Sequence, residues 1–329
     1  MGVFMKYFLF LLICLNFKSS LAFDIIAHRG LPRLYPEHSI LGLEEALKLK
    51  PDYVEPDIVL SKDKVAIVLH DTHLDTTSNV AQLFPDRKRK DGRYYAADFT
   101  FDELKKLNIN HRIDLKTGKA VFPTRVPIAN SKLKIPSLED FLMIVSKFNQ
   151  TNQTKIGVYP EIKAPEFHQK QKMDIVKIVH DQLLAFHKKD KLTPIILQCF
   201  DSKALKRIKK DLNSPFFLVQ LVAENSWGES STDYDKLKTE KGLKEMKQFV
   251  DGLGPWIPQL INKDGSPSEF LVLAKKLDFK IHPYTLRNDA LPKGIKSEKQ
   301  LLILLKDKLK VDGVFSDNTN TSIPLLKEL

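Results

Sequence analysis

Four short stretches of the sequence pair side chains that can move protons, grip anions or hold a cation. The first is Ala27-His28-Arg29-Gly30. Histidine exchanges a proton near neutral pH, a guanidinium clamps an anion bidentately, and glycine lets the chain turn sharply beside a ligand. The second is Glu55-Pro56-Asp57. Residues two apart in a strand face the same way, so both carboxylates offer hard oxygen ligands on one side. On an edge strand the same triplet would be two solvated acids. The third is Val68-Leu69-His70-Asp71, either an acid–base imidazole with its orienting carboxylate or a polar exit from an apolar strand. The fourth is Tyr159-Pro160-Glu161-Ile162-Lys163, in which Glu161 and Lys163 share a face. Each stretch alone is ambiguous. Taken together they supply His28 and His70 for proton traffic, Glu55, Asp57 and Glu161 for one cation, and Arg29 and Lys163 for phosphate oxygens. That set suits metal-assisted phosphoryl transfer.

Positioning such a set requires strand ends that converge, and the chain alternates short β-branched runs with helical patterns from end to end. Strands are expected over residues 24–29, 53–60, 65–70, 156–162, 194–200, 216–222, 250–253, 280–286 and 312–317. Helices are expected over 39–49, 137–148, 170–187, 202–212, 234–249, 266–277 and 297–309, the second opened by Ser137 as cap with Glu139 and Asp140 behind it. This alternation predicts an α/β protein with a TIM (β/α)8 barrel. Nine strands compete for eight places. The turn Ser61–Lys64 is too short for a parallel crossover, so 53–60 and 65–70 are expected to form a hairpin. If Leu60 faces Val65, Glu55 lies opposite His70. Residues 72–135 show little apolar periodicity and too few apolar residues for a core of their own; they are expected to be an insertion after the Val65–His70 strand, capping the active-site mouth.

The chain has 329 residues, with Lys+Arg 52 against Asp+Glu 41 for a net charge of +11, and 43% hydrophobic residues. Collagenous, low-complexity and wholly disordered chains are excluded. Two cysteines exclude a disulfide scaffold and multi-cysteine zinc modules. Residues 1–22 carry Lys6, an apolar run from Phe8 to Leu15, and Ser20-Leu21-Ala22, the pattern of a secretory signal peptide cut after Ala22. The run is too short to span a bilayer. Cleavage removes two lysines and no acid, leaving residues 23–329 with Cys199 as their one cysteine, read as a buried small residue.

The ordered motifs resemble the glycerophosphodiester phosphodiesterase family. Its His-Arg-Gly hallmark precedes a Pro-Glu-Asn-Thr-like segment, here Pro36-Glu37-His38-Ser39. The Glu-x-Asp pair, the strand-ending His-Asp and the Glu-Ile-Lys motif follow in family order. Gln198-Cys199-Phe200, the segment His282–Arg287 and the segment Asp312–Asp317 also match, and the insertion around Phe84–Tyr95 is similar to the periplasmic branch. The resemblance implies acid–base roles for His28 and His70, divalent-cation ligation by Glu55, Asp57 and Glu161, and phosphate contacts from Arg29 and Lys163. It places Gln198, Phe200 and Tyr284 at the glycerol end of the pocket. The implied cofactor is a divalent cation, Ca2+ first and Mg2+ second. The implied reaction is hydrolysis of a small glycerophosphodiester to sn-glycerol 3-phosphate and an alcohol, in the periplasm or, after full secretion, in the medium. His38 and Ser39 depart from the commoner Asn-Thr, and residues 223–248 look divergent and shortened.

Two other readings stand beside this one: a related barrel phospholipase acting on intact lipid, and a binding protein that kept the barrel without catalysis. No stable membrane insertion and no nucleic-acid partner are expected, since long apolar spans and aromatic-interleaved basic modules are missing. His168, His180 and His187 are expected to face solvent on a Lys-rich helix, and Arg87–Lys90 to form a solvated turn. His73 and His111 fall in the insertion, and His38 begins a helix beside the site.

Overall fold

Strand β1 (Asp24–His28) pairs in parallel with β11 (Gly313–Ser316) on one side and β2 (Tyr53–Glu55) on the other. The structure is a computed structural model and describes residues 23–125 and 132–329. The expected signal peptide therefore lies outside the described residues.

Prolines divide two of the predicted strands. Pro56 separates β2 from β3 (Asp57–Leu60), and Pro160 separates β5 (Gly157–Val158) from β6 (Glu161–Ile162). Proline donates no backbone hydrogen bond, yet the pairing runs on through both breaks. Tyr159 N–H reaches Val54 O at 2.9 Å, Glu161 N–H reaches Pro56 O at 2.9 Å, and Gln198 N–H reaches Pro160 O at 3.0 Å. Beyond β6 the order is β7 (Ile196–Cys199), β8 (Phe217–Val222), β9 (Gly252–Pro255) and β10 (Lys280–Ile281), all parallel. Leu286 N–H then bonds Phe315 O at 2.8 Å, and Phe315 N–H bonds Pro283 O at 3.0 Å. These bonds join the β10 stave to β11 and close the ring. The fold is the (β/α)8 barrel expected from the alternation.

Ile26, Tyr159, Ile196, Val219 and Phe315 fill the barrel bore. A larger apolar shell, with Leu43, Val145, Val179 and Leu205 among its helical members, lies between the strands and the outer helices. Capping matches expectation where it was legible. Ser137 and Asp140 form a reciprocal capping box at the helix Leu138–Asn152.

The ninth strand, β4 (Ala66–Val68), pairs antiparallel with β3 as predicted, but one residue out of the expected register. Leu60 faces Ala66, not Val65, so Glu55 does not lie opposite His70. The cause is the turn. Ser61 N–H bonds Val65 O at 3.0 Å, its hydroxyl oxygen accepts from Val65 N–H at 2.9 Å, and Lys64 takes a left-handed φ of 65°. Ser61 thus closes the loop around one more residue.

Residues 72–135 do build an apolar cluster, by borrowing one face of the hairpin. Leu74, Val80, Phe99, Leu104 and Leu107 pack against Val59, Ile67 and Leu69. Arg87–Lys90 is only half a solvated turn. Lys88 and Lys90 are exposed, whereas Arg87 bonds Glu103 and Arg89 grips Asp98 through two N–H donors at 2.7 and 2.8 Å. His168 and His180 correct the prediction outright: they are buried, at 1% and 2% exposure, and His187 is half-buried. His180 falls on the same face as Ile175, Val176, Val179 and Leu183, which covers the barrel. Among the described residues no helix is long and apolar enough to cross a membrane.

Candidate active site

Parallel register brings the polar residues into one belt at the carboxyl ends of the strands. His28 is paired with Glu55, Asp57 with Glu161, and Glu161 with Gln198. At the end of β1 the chain turns abruptly through Arg29 at φ 54° and Gly30 at φ 86°. A Cβ on Gly30 would stand 3.0 Å from the backbone of Gly42, so only glycine lets this loop lie against the following helix. The turn directs Arg29 N–H to Glu55 Oε2 at 3.0 Å. Ala164, also left-handed at φ 42°, turns the chain after Lys163.

Glu55, Asp57 and Glu161 are buried, and their donor oxygens lie within 4.8 Å of one another. Burial, with the charges of Asp57 and Glu161, raises the Glu55 carboxyl well above its ordinary range. Burial likewise pushes Glu161 up to about 8, against the pull of Lys163. Asp57 remains far below its ordinary value, because His70, Arg29, Lys163 and a hydrogen bond with His38 outweigh its burial. Arg29 Nε is 3.2 Å from Asp57 and Lys163 Nζ is 2.8 Å from Glu161. Gln198 places its Nε2 3.4 Å from Glu55, while its buried Oε1 has no partner. Three crowded carboxylate oxygens and an orphaned amide oxygen form a hard donor set that fits a divalent cation.

The two histidines are built alike. His28 Nδ1 lies 2.5 Å from Asp317 Oδ1, and His70 Nδ1 lies 2.5 Å from Asp71 Oδ1. Each opposite nitrogen meets a cation: Arg29 Nε is 3.2 Å from His28 Nε2, and Lys163 Nζ is 3.3 Å from His70 Nε2. Both rings therefore carry the Nδ1 proton and present Nε2 as a base. Burial, reinforced by Arg29, lowers His28 to about 4. Burial, with Arg29 and Lys163, lowers His70 to about 3. Bringing either ring to its charged form requires an incoming anion or carboxylate to offset those neighbours.

These groups border a cavity of about 1120 Å³. His28, Arg29, Glu55, His70, Glu161, Lys163, Gln198, Phe200 and Tyr284 line it. Asp57 sits beneath them, its carboxylate inside the acidic cluster. Phe200 and Tyr284 pack edge to face at 5.8 Å, and the Tyr284 hydroxyl donates to Val222 O at 2.9 Å, so the tyrosine is held as wall. The outer part is mixed: Trp227 and Trp256 meet edge to face at 5.2 Å, and Glu229, Lys263 and Lys293 also line it. His38 is buried against Asp57, whereas His73 stacks at a tilt on Tyr95 in the insertion.

Sequence reasoning missed several members. Asp317 closes a quoted motif, but its partnership with His28 spans the barrel closure. Glu37, also within a quoted motif, accepts from Arg29 at 3.1 Å and from Arg112 at 2.7 Å. Arg112 and Arg125 carry no motif at all, and nothing local in the sequence marks them; Arg287 ends a quoted segment, and its donation to Asp317 Oδ2 at 2.9 Å was not foreseen.

The sequence pattern of the glycerophosphoryl diester phosphodiesterase family matches residues 28–321. The chain is 35% identical over 325 residues to a glycerophosphodiester phosphodiesterase of Haemophilus influenzae, covering 92% of this chain and 89% of that one. It is 27% identical over 324 residues to one of Treponema pallidum, covering 92% and 91%. Among solved structures, a candidate glycerophosphoryl diester phosphodiesterase of Silicibacter pomeroyi superposes with a TM-score of 0.70 at 16% identity, over 93% of this chain and 94% of that one. An Oleispira antarctica phosphodiesterase, solved with the product sn-glycerol-3-phosphate, gives 0.62 at 18% identity, over 94% and 98%. These two likenesses speak for the barrel, and the sequence matches for descent. This chain is an enzyme of the glycerophosphoryl diester phosphodiesterase family.

Proposed function

We propose that the enzyme hydrolyses small glycerophosphodiesters, such as glycerophosphocholine, to sn-glycerol 3-phosphate and the free alcohol. The observation that carries this reading is the placement of two His–Asp dyads beside one three-carboxylate cluster in a single cavity. Support comes from the relatives named for this activity and from the product found in the Oleispira antarctica structure.

Glu55, Asp57 and Glu161 would hold a divalent cation, with Ca2+ preferred over Mg2+ because three buried carboxylates suit a larger ion with several oxygen ligands. When bound, such an ion neutralises phosphate charge and orients glycerol oxygens. Arg29 and Lys163 grip the phosphate oxygens that remain. One histidine accepts the proton of the glycerol 2-hydroxyl at Nε2 as that oxygen attacks phosphorus. The other donates a proton to the departing alcohol oxygen, giving a cyclic phosphate. In a second step the roles reverse: water gives up a proton and adds to phosphorus, and the 2-oxygen is reprotonated as its bond breaks. Asp317 and Asp71 hold the Nδ1 protons throughout. We further propose that residues 1–22 direct export to the periplasm, on the strength of their charge, apolar run and cleavage pattern.

A coupled assay for glycerol 3-phosphate, run on glycerophosphocholine with Ca2+ and with excess chelator, tests the reading. Turnover with Ca2+ and silence under chelation is expected. Activity that persists in chelator would overturn the cation role, and inert glycerophosphocholine beside cleaved phospholipid vesicles would transfer the substrate to intact lipid.

A further inference from the structure

The insertion holds two arginines, near neighbours, that repeat the same chain of contacts to the two histidines. Arg112 donates from Nη1 to Asp71 Oδ2 at 2.5 Å, and Asp71 Oδ1 holds His70 Nδ1. Arg125 donates from Nη2 to Asp317 Oδ2 at 2.5 Å, and Asp317 Oδ1 holds His28 Nδ1. Both arginines are themselves fixed. Arg112 spans Glu37 with two N–H donors at 2.7 and 3.2 Å, and Arg125 is 7% exposed, bonded to Asp289 at 3.1 Å and lying over Phe122 at 3.7 Å. Neither arginine lines the large cavity, so neither touches the substrate there.

We propose that the insertion is a positioning element as well as a cap: Arg112 and Arg125 each lock the aspartate that orients one of the two histidines. A carboxylate with one oxygen on an imidazole N–H can rotate away or take up a proton; a guanidinium on its other oxygen prevents both. Consistent with this, His70 and then Arg112 hold Asp71 far below its ordinary range against the cost of its burial. Arg287, His28 and Arg125 do the same for Asp317. The barrel supplies the histidines and the insertion supplies a restraint on each, shared at Asp317 with Arg287, which donates to the same Oδ2 at 2.9 Å.

The inference rests on His28 and His70 being the proton-transfer groups, so H28A and H70A are the controls. The variants are R112Q, R125Q, R112K and R125K, assayed on glycerophosphocholine and on the p-nitrophenyl ester of glycerol 3-phosphate. On glycerophosphocholine each Gln variant should lose roughly 10- to 100-fold in kcat with KM nearly unchanged, and each Lys variant should recover part of the loss. p-Nitrophenolate leaves without a proton. On that ester, therefore, the variant serving the proton-donating histidine should regain a near-normal rate of p-nitrophenolate release in a single turnover, while the other stays impaired in that step. Unchanged kcat in both Gln variants, a loss carried by KM, or equal impairment on both esters would overturn the inference. If R125Q does not fold, R125K beside R112Q carries the comparison. Near-normal turnover in H28A or H70A would instead sink the reading of the histidines, whatever the arginines do.

Discussion

His38 places its imidazole Nε2 2.8 Å from Oδ2 of Asp57, at the floor of the acidic cluster. The backbone of His38 is left-handed at φ 63°, and its N–H bonds Arg29 O at 3.1 Å, so the turn after β1 delivers the ring to Asp57. A group hydrogen-bonded to a metal-ligating carboxylate fixes its orientation and its basicity. H38A should weaken activation by Ca2+ by about 10- to 100-fold, read as a rightward shift of the Ca2+ titration of kcat. H38N, which restores the residue commoner in the family, should lie close to wild type. Equal Ca2+ requirements in H38A and wild type would remove His38 from the cluster's support.

Cation binding should also be visible in stability. A ligand that binds only the folded state at about one hundred times its Kd adds about 2.7 kcal/mol. For a domain of this size that corresponds to a rise in Tm of roughly 5 °C. We expect that rise on adding Ca2+ to chelator-treated protein, and its loss in E161Q, which removes one carboxylate charge from the proposed cation site. A Ca2+-induced shift of the same size in E161Q would place the stabilising ion elsewhere.

His168 sets an acid limit that has nothing to do with catalysis. Its ring is buried, neither ring nitrogen has a hydrogen-bond partner, and burial alone lowers it to about 4 from an ordinary 6.5. Above pH 6.5 both folded and unfolded chains carry the neutral ring and stability is unaffected. Between about 6.5 and 4 the unfolded chain binds a proton that the folded chain refuses, so stability falls as pH falls. The full loss is about 3 kcal/mol. Tm measured against pH should drop over this window in wild type and drop less steeply in H168L, with the slope that remains set by His28 and His70. A slope that survives unchanged in H168L would assign the acid lability to other groups.

The parts of the site that were legible in the sequence are those written in one strand. Period-two spacing put Glu55 with Asp57 and Glu161 with Lys163, and the polar strand ends pointed to one barrel mouth. The hairpin register slipped because a side chain, Ser61, closes the turn. His180 was misread because exposed lysines mask an apolar seam, Ile175 to Leu183, that shares its surface, and His168 because it sits on a separate short helix, Pro165–Lys170, as its one buried residue. Asp317 and the arginines were out of reach for another reason. Their roles arise from contacts between residues 41 to 289 positions apart, and no local pattern encodes where an insertion's side chains land.

The insertion's cluster is separate from the barrel's two apolar clusters, and this makes its contribution testable in isolation. Phe99 is fully buried there, edge to face with Phe84 at 5.3 Å and beneath the guanidinium of Arg87 at 4.5 Å. F99A leaves a cavity in a cluster too small to refill it, at a cost of about 3–5 kcal/mol. Because the cluster touches the barrel mainly through Val59, Ile67 and Leu69, that cost should fall on the insertion before the barrel. We expect limited proteolysis to cut F99A within residues 72–135 while the remaining chain stays protected. Freed of their anchorage, Arg112 and Arg125 then release Asp71 and Asp317, so kcat should fall in F99A at Ca2+ saturation. L183A, which opens a comparable cavity in the shell between barrel and helices, should lower the Tm of the whole molecule without selective cleavage. If F99A instead unfolds as one unit with the barrel, the insertion is an integral part of the barrel's cooperative core and its arginines are held by the fold as a whole.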